Sequence, residues 1–292
     1  MNNGLVHLDI SGGGFKISGL AGGVIELLDS GISPDVISGI SSGSILTFVL
    51  CGSSSPRSVI EDNAIGFNSS DVFSRSPFNK RGGLRVSSII NGIFKNYFTK
   101  QDRLYTLLSG YVSETEWEYY RDSKYSPDGI IMSVDLIRGS REIVNLKDYN
   151  YKDAIGLVIA SCSIPVYVNP IYFKEMVLVD GGIRNHILTE WILDAYNIKE
   201  SYSIFSRSSD FKKYTTKEKL KTLPQVLIRT IEIMENEISK GDELLADLKA
   251  AKKGIYNKNF YIYDILDNVY DDDIEKQRFL YELGKNTVRK NL

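Results

Sequence analysis

Residues 5–50 read LVHLDISGGGFKISGLAGGVIELLDSGISPDVISGISSGSILTFVL. Leu5 to Ile10 is a short apolar run stopped by Ser11-Gly12-Gly13-Gly14, which reads as a buried strand closed by a tight turn. Apolar residues then recur at Ile17, Leu20, Ala21, Val24, Ile25 and Leu28, the spacing of a helix with one face on a core, and Gly31 stands where that helix would stop. After Pro34, Asp35 to Ile40 reads as a second buried strand, and a second helix begins near Ser41 and carries Ile45, Leu46, Val49 and Leu50. Strand, helix, strand, helix at this spacing is a βαβ unit, two parallel strands joined by a right-handed crossover. Both strands of such a unit end on the same side. Gly12–Gly14 and Ser41 are therefore expected together at the carboxyl edge of the sheet, where α/β proteins build their sites.

Working outward, Ser53 to Arg85 has weak periodicity and reads as loop and short helix, and Ile89 to Tyr111 as helix. Gly129–Leu136 and Glu142–Leu146 read as strands joined by the turn Arg138-Gly139-Ser140, and Asp153–Ser161 as a short helix. Met176–Val179 is a strand running into Asp180-Gly181-Gly182, and Ser203–Phe205 another. Leu223–Lys253 has the pattern of a long charged amphipathic helix, Phe260–Ile265 alternates like a strand, and Ile274–Arg289 closes the chain as a helix. No repeat or linker divides the chain. The expectation is one α/β domain over residues 1–292, with the part from about 208 to 292 mainly helical and packed on the same domain.

With 42% hydrophobic and 25% charged residues in 292, the chain can bury a full core, which excludes disorder and a disulfide scaffold. A formal net charge of −2 provides no basic field, so no nucleic-acid partner is expected. Cys51 and Cys162 stand alone in separate apolar stretches, which argues against a metal cluster and fits a reducing, cytoplasmic setting. The first residues lack the basic and apolar segments of a secretory leader, and the most apolar run, Ile45 to Cys51, falls well short of the roughly 20 residues of a spanning helix.

Gly39-Ile40-Ser41-Ser42-Gly43 fits G-x-S-x-G at the end of a strand and the start of a helix. That sharp corner projects its serine as a nucleophile, although the same pentapeptide also serves as a plain glycine-serine turn. Gly12-Gly13-Gly14 can aim backbone N–H groups into one cavity and hold an oxyanion; a tight βα turn is the simpler alternative. The dinucleotide fingerprint fails at Ile17, and the phosphate-loop pattern fails at Leu20, where lysine is required. For a base to Ser41 there are two histidines. His7 is mid-strand and reads as core, while His186 follows Asp180 by six residues. Asp180 is the stronger candidate, because a carboxylate ending the apolar run Val177-Leu178-Val179 is partly desolvated and its pKa rises toward the range of a general base. A strand-end turn is the alternative role for Asp-Gly.

Four blocks in order resemble the patatin-like phospholipase family: Gly12-Gly13-Gly14-Phe15-Lys16, Pro34 through Ser44, Ala160-Ser161-Cys162-Ser163-Ile164-Pro165-Val166-Tyr167, and Val179-Asp180-Gly181-Gly182-Ile183-Arg184-Asn185. Phe279 to Lys285 is similar to the family's final helix. The chain departs from the family pattern at Ile17, Ser44 and His186-Ile187-Leu188. The resemblance implies a three-layer α/β/α fold with a central, mostly parallel sheet and a helical C-terminal segment. It also implies a lipid acyl hydrolase with a Ser41–Asp180 dyad and an oxyanion loop at Gly12, Gly13 and Gly14. Lys16, Gly39, Gly43, Gly181 and Gly182 would have supporting places, and the substrate would be a phospholipid or other acyl-ester lipid. No metal or organic cofactor is called for. An acyltransferase or thioesterase on the same residues is an alternative, as is a non-catalytic lipid- or partner-binding protein of the same fold.

Residues 66–103 hold seven bases, Arg75, Lys80, Arg81, Arg85, Lys95, Lys100 and Arg103, against Asp71 and Asp102, with Phe73, Phe78, Phe94, Tyr97 and Phe98 interleaved. Such a stretch can make peripheral contact with an anionic membrane surface. The ordinary alternative, core aromatics under a solvated charged face, is favoured by pattern alone. Lys212 to Lys221 reads as a solvated loop or helix face.

Overall fold

The computed structural model describes residues 4–75, 85–207, 223–262 and 273–292. Its strands are β1 (Leu5–Ile10), β2 (Val36–Ile40), β3 (Tyr97–Thr99), β4 (Asp128–Asp135), β5 (Ser140–Asn145), β6 (Val166–Val168), β7 (Ile171–Phe173), β8 (Met176–Asp180), β9 (Ile198–Phe205) and β10 (Tyr256–Tyr261). The main sheet runs β10-β9-β1-β2-β4-β8-β7, with β5 also on β4. From β10 to β4 every pairing is parallel, while β5, β7 and β8 are antiparallel additions. A mostly parallel sheet flanked by helices, with further helices at the C-terminal end, is thus present, as the resemblance implies.

The central strands are buried on both faces, and successive side chains join clusters on opposite sides of the sheet. Ile37 and Ile131 join the large cluster on one face, whereas Val36, Ile40, Ile130 and Met132 join a second cluster with Leu188, Ile192, Leu193 and Ala250. Helix α1 (Ile17–Asp29) and helix α2 (Ser42–Gly52) lie in the large cluster, and every residue of α2 is buried. The C-terminal helix Ile274–Asn291 lies directly on α1. A Cβ on Gly22 would meet the Tyr281 carbonyl oxygen at 2.0 Å, and one on Gly284 would meet that of Gly19 at 2.1 Å. The Arg289 guanidinium also forks onto both carboxylate oxygens of Glu26, at 2.8 and 2.7 Å.

Several expectations are corrected. Ile89–Tyr111 is not one helix: helices Val86–Phe94 and Leu104–Tyr111 are separated by β3, which pairs with the distant β6. Strand β9 starts at Ile198, not at Ser203, and the last strand is Tyr256–Tyr261, which adds a sheet edge to the mainly helical C-terminal part. Phe73 is core, as the ordinary reading of 66–103 held, but Phe94 is exposed. Phe78, Lys80 and Arg81, and the lysines from 212 to 221, lie outside the described residues. Among the described residues no helix is long and apolar enough to cross a membrane.

Candidate active site

Strand β4 brings the two ends of the site together. Residues 128–132 pair on one edge with β2, in register Ile40↔Met132. Residues 130–135 pair with β5, which must occupy the opposite edge. Ser133–Asp135 pair with β8 in register Ser133↔Asp180, on the edge that β2 has just vacated. β2 running one way and β8 the other therefore meet head to head along β4. Ser41, the residue after β2, and Asp180, the last of β8, are brought into one neighbourhood although 139 positions separate their numbers in the chain.

Ser41 turns that corner at φ 54°, ψ −126°, a conformation costly for any residue with a side chain and tolerated where the surroundings impose it. Those surroundings are on either side of it. A Cβ on Gly39 would lie 2.3 Å from the Gly43 carbonyl oxygen, and one on Gly43 would lie 2.0 Å from that of Ile10, so only glycine lets strand, corner and helix approach this closely.

Residues 161–163, at the end of the helix Tyr151–Ser161, hold both candidate residues. Ser41 donates its backbone N–H to Ser161 Oγ at 3.0 Å, and that hydroxyl donates in turn to the Met132 carbonyl at 2.7 Å. The Cys162 thiol and the Ser44 hydroxyl donate to the Ser41 carbonyl at 3.1 and 2.6 Å. The Asp180 backbone N–H donates to the Ser163 carbonyl at 2.9 Å, and Gln101 Nε2 anchors the same turn through the Ile159 carbonyl at 3.0 Å. The sequence alone gives these residues no chemical role. The A-S-C-S-I-P run was the only signal, and polar side chains facing inward from a helix end are indistinguishable from capping residues without the partner strands.

Asp180 is buried, and burial pushes its carboxyl up to about 7; the Gly182 N–H, donating to Oδ1 at 2.7 Å, and the nearby Ser41 hydroxyl work against that rise. Among the described residues Asp180 Oδ2 has no hydrogen-bond partner, so the nearby Ser41 hydroxyl approaches the carboxyl without a closed bond. Loose nucleophile–base geometry is common when no substrate is present. Both histidines are pushed the other way, to about 4, each chiefly by burial. His7 sits in mid-strand between Ser201 and Ser38, at 3.0 and 2.8 Å. His186 is fixed by its backbone N–H to Asp242 Oδ2 at 2.6 Å, and Lys16 and Arg207 depress its basicity further. The carboxyl is thus the more basic group near neutral pH, an inversion produced by burial: it penalises the anion of an acid and the cation of a base.

The glycine loop lies against Ser41, where a Cβ on Gly12 would be 3.1 Å from Ser41 Cβ. Ser11 Oγ and Ser206 Oγ both donate to the Gly12 carbonyl, and Ser206 fills the space beside Gly13, where a Cβ would meet its hydroxyl at 2.4 Å. Among the described residues neither the Gly12 nor the Gly13 N–H donates to another backbone group. Gly181 packs on Met132, where a Cβ would meet its carbonyl oxygen at 2.6 Å. Lys16 is half-buried, and its charge helps to depress the basicity of His186. The Asp180-Gly181-Gly182 turn is secured from behind: Asn185 donates its N–H to the Gly181 carbonyl at 3.1 Å and its side-chain amide to Asp242 Oδ1 at 2.8 Å. Asp242, on the Leu223–Lys253 helix, had no sequence signal.

Ser41 opens onto a small apolar pocket of about 60 Å³ whose walls include Phe15, Ile45, Phe67, Phe73, Leu104 and Val168. A hydroxyl beside a desolvated carboxyl, adjacent glycine amides and an apolar cavity form a set able to carry out acyl transfer.

A family model described as patatin-like phospholipase matches residues 8–190, more than half of the chain. No curated protein matches. Among solved structures, VipD from Legionella pneumophila is similar over 98% of this chain, at 12% identity and a TM-score of 0.46. This chain spans 66% of that protein, a little under two thirds.

Proposed function

The chain belongs to the patatin-like phospholipase family, a family of lipid acyl hydrolases, and on that premise we propose that it cleaves acyl esters through an acyl-Ser41 intermediate with Asp180 as general base. Asp180 takes the Ser41 hydroxyl proton as Oγ attacks the ester carbonyl. The oxyanion is held by N–H groups of Gly12–Gly14, each such donor typically contributing about 3 kcal/mol in the transition state. Collapse of the tetrahedral adduct breaks the ester C–O bond, and the proton on Asp180 passes to the leaving alcohol. Water then gives its proton to Asp180, attacks the acyl-enzyme and releases the fatty acid and the Ser41 hydroxyl. The substrate is a phospholipid or another acyl-ester lipid, reached from a membrane surface, with the first carbons of its chain against the apolar walls beside Ser41.

The observation that carries this reading is the head-to-head meeting of β2 and β8, which puts a strained serine beside a carboxyl whose pKa lies near 7. Incubation with a mixed lipid extract, followed by mass spectrometry, should show release of free fatty acid that Ser41→Ala abolishes. A fluorophosphonate should label Ser41 alone. Turnover retained by Ser41→Ala, or labelling of another serine, overturns the reading.

A further inference from the structure

The helix Val86–Phe94 carries its apolar residues outward. Val86, Ile90, Ile93 and Phe94 fall on one helical stripe and are 73%, 50%, 69% and 81% exposed. Among the residues whose side chains are described, those that meet the rest of the protein are polar or small. Ser88 is buried, Asn91 donates its side-chain amide to the Phe98 carbonyl at 3.1 Å, and Gly92 lies so close to Phe98 that a Cβ would come within 2.6 Å of its ring. A helix that turns four large apolar side chains outward while it buries a serine departs from the amphipathicity of a core-facing helix.

This stripe borders a shallow groove lined by Ile93, Phe94, Lys95, Tyr97, Lys100 and Tyr172, and no carboxylate lines it. The Lys95 and Lys100 ammoniums stand 5.7 and 6.0 Å from the Tyr97 ring centroid, and neither forms an ion pair among the described residues. The groove adjoins the active site. β3 and β6 pair beneath it, and Gln101, the residue after Lys100, and Val168, the last of β6, both line the pocket that holds Ser41.

We propose that this face docks the protein on an anionic lipid bilayer. Val86, Ile90, Ile93 and Phe94 enter the boundary between headgroups and acyl chains, and Lys95 and Lys100 meet lipid phosphates. The charge pattern favours lipid over a protein partner. Ammonium groups with no acid among them suit a uniformly anionic plane, whereas protein rims present charges of both signs. The inference gives the proposed acyl hydrolysis its point of contact and rests on that reading for its purpose, though not for its test.

The test is co-sedimentation of the Ser41→Ala protein, which leaves lipid intact, with phosphatidylcholine vesicles with or without phosphatidylserine. Binding is expected to require phosphatidylserine and to weaken as salt is raised. Lys95→Gln with Lys100→Gln removes two charges, each worth about 1 kcal/mol at such a surface, so partitioning should fall roughly thirtyfold. Ile93→Asp with Phe94→Asp should abolish binding, with thermal melting confirming that the variant folds. Should that variant not fold, Phe94→Trp provides the same answer by a blue-shifted emission on anionic vesicles only. Absence of binding, binding indifferent to phosphatidylserine or unaltered in the variants, or a dimer in solution that Ile93→Asp with Phe94→Asp dissolves overturns the proposal. Vesicle binding by the stripe without ester turnover by the unmutated protein would sink the proposed function and leave the docking surface standing; turnover without stripe-dependent binding would do the reverse.

Discussion

Replacing Asp180 by asparagine should destroy activity and, above neutral pH, make the protein more stable. The folded state raises the carboxyl from 3.8 to about 7, so between those values folded protein holds a proton that unfolded protein has released. Stability contributed by this group is therefore complete below pH 4 and declines as pH rises toward 7, after which the cost of the buried anion is fully expressed. A rise of about three pH units corresponds to roughly 4 kcal/mol, an upper value because asparagine can keep only part of the hydrogen bonding to Gly182. In a chain of this size that is about 8 °C in melting temperature. The assay is thermal unfolding of both proteins from pH 4 to 9, read as the difference between them at each pH. The difference removes the other titrations that fall in the same range: Asp242, raised to about 6 mainly by burial, and His7 and His186, lowered to about 4. Asp180→Asn should gain on the parent protein as pH rises and level off above 7. Ester turnover by the parent should rise over the same interval as the base deprotonates, and the variant should lose 10²–10⁴-fold, the usual range for a general base. A stability difference that stays flat with pH, or that grows in favour of the parent protein at high pH, would refute the assignment of Asp180 as a desolvated base.

Three further outcomes follow from named contacts. Ser161→Ala takes away the acceptor of the Ser41 N–H and the donor to the Met132 carbonyl, so stability should drop by about 1–3 kcal/mol and kcat by about a hundredfold, with a smaller change in KM; unaltered kinetics in a destabilised protein would make Ser161 merely structural. Gly13→Ala puts a methyl 2.4 Å from the Ser206 hydroxyl, so the glycine loop should shift and turnover collapse, while Gly13→Ala combined with Ser206→Gly should restore part of it in a soluble-ester assay. Gly22→Ala drives a methyl to 2.0 Å from the backbone oxygen of Tyr281 and should lower the melting temperature by separating α1 from the final helix, at a cost of about 1–3 kcal/mol in chemical denaturation; a neutral effect would mean that this helix is not part of the folding unit.

Sequence by itself determined what neighbouring residues decide among themselves. Periods of two and near four fix strand or helix within one segment, so β1, α1, β2 and α2 were legible from residues 5–50, together with the serine corner and the glycine loop at one sheet edge. The order of four short blocks also pointed to the family. Features set by distant partners were not legible. β3 interrupts an apparently continuous helical stretch because Tyr97 and Thr99 find Val166 and Val168 to pair with. β9 begins among polar residues at Lys199 and Glu200, and β10 reads Tyr-Asn-Lys-Asn-Phe-Tyr, because strands near a sheet edge keep polar side chains in water that an apolar pattern search passes over. Only the tertiary structure decided that β8 enters antiparallel on the edge of β4 that β2 leaves, and hence that Ser41 and Asp180 share a corner. It alone decided the basicity of that carboxyl as well, because a pKa is set by the water removed around the group and by the dipoles left facing it, and the linear order of residues specifies neither.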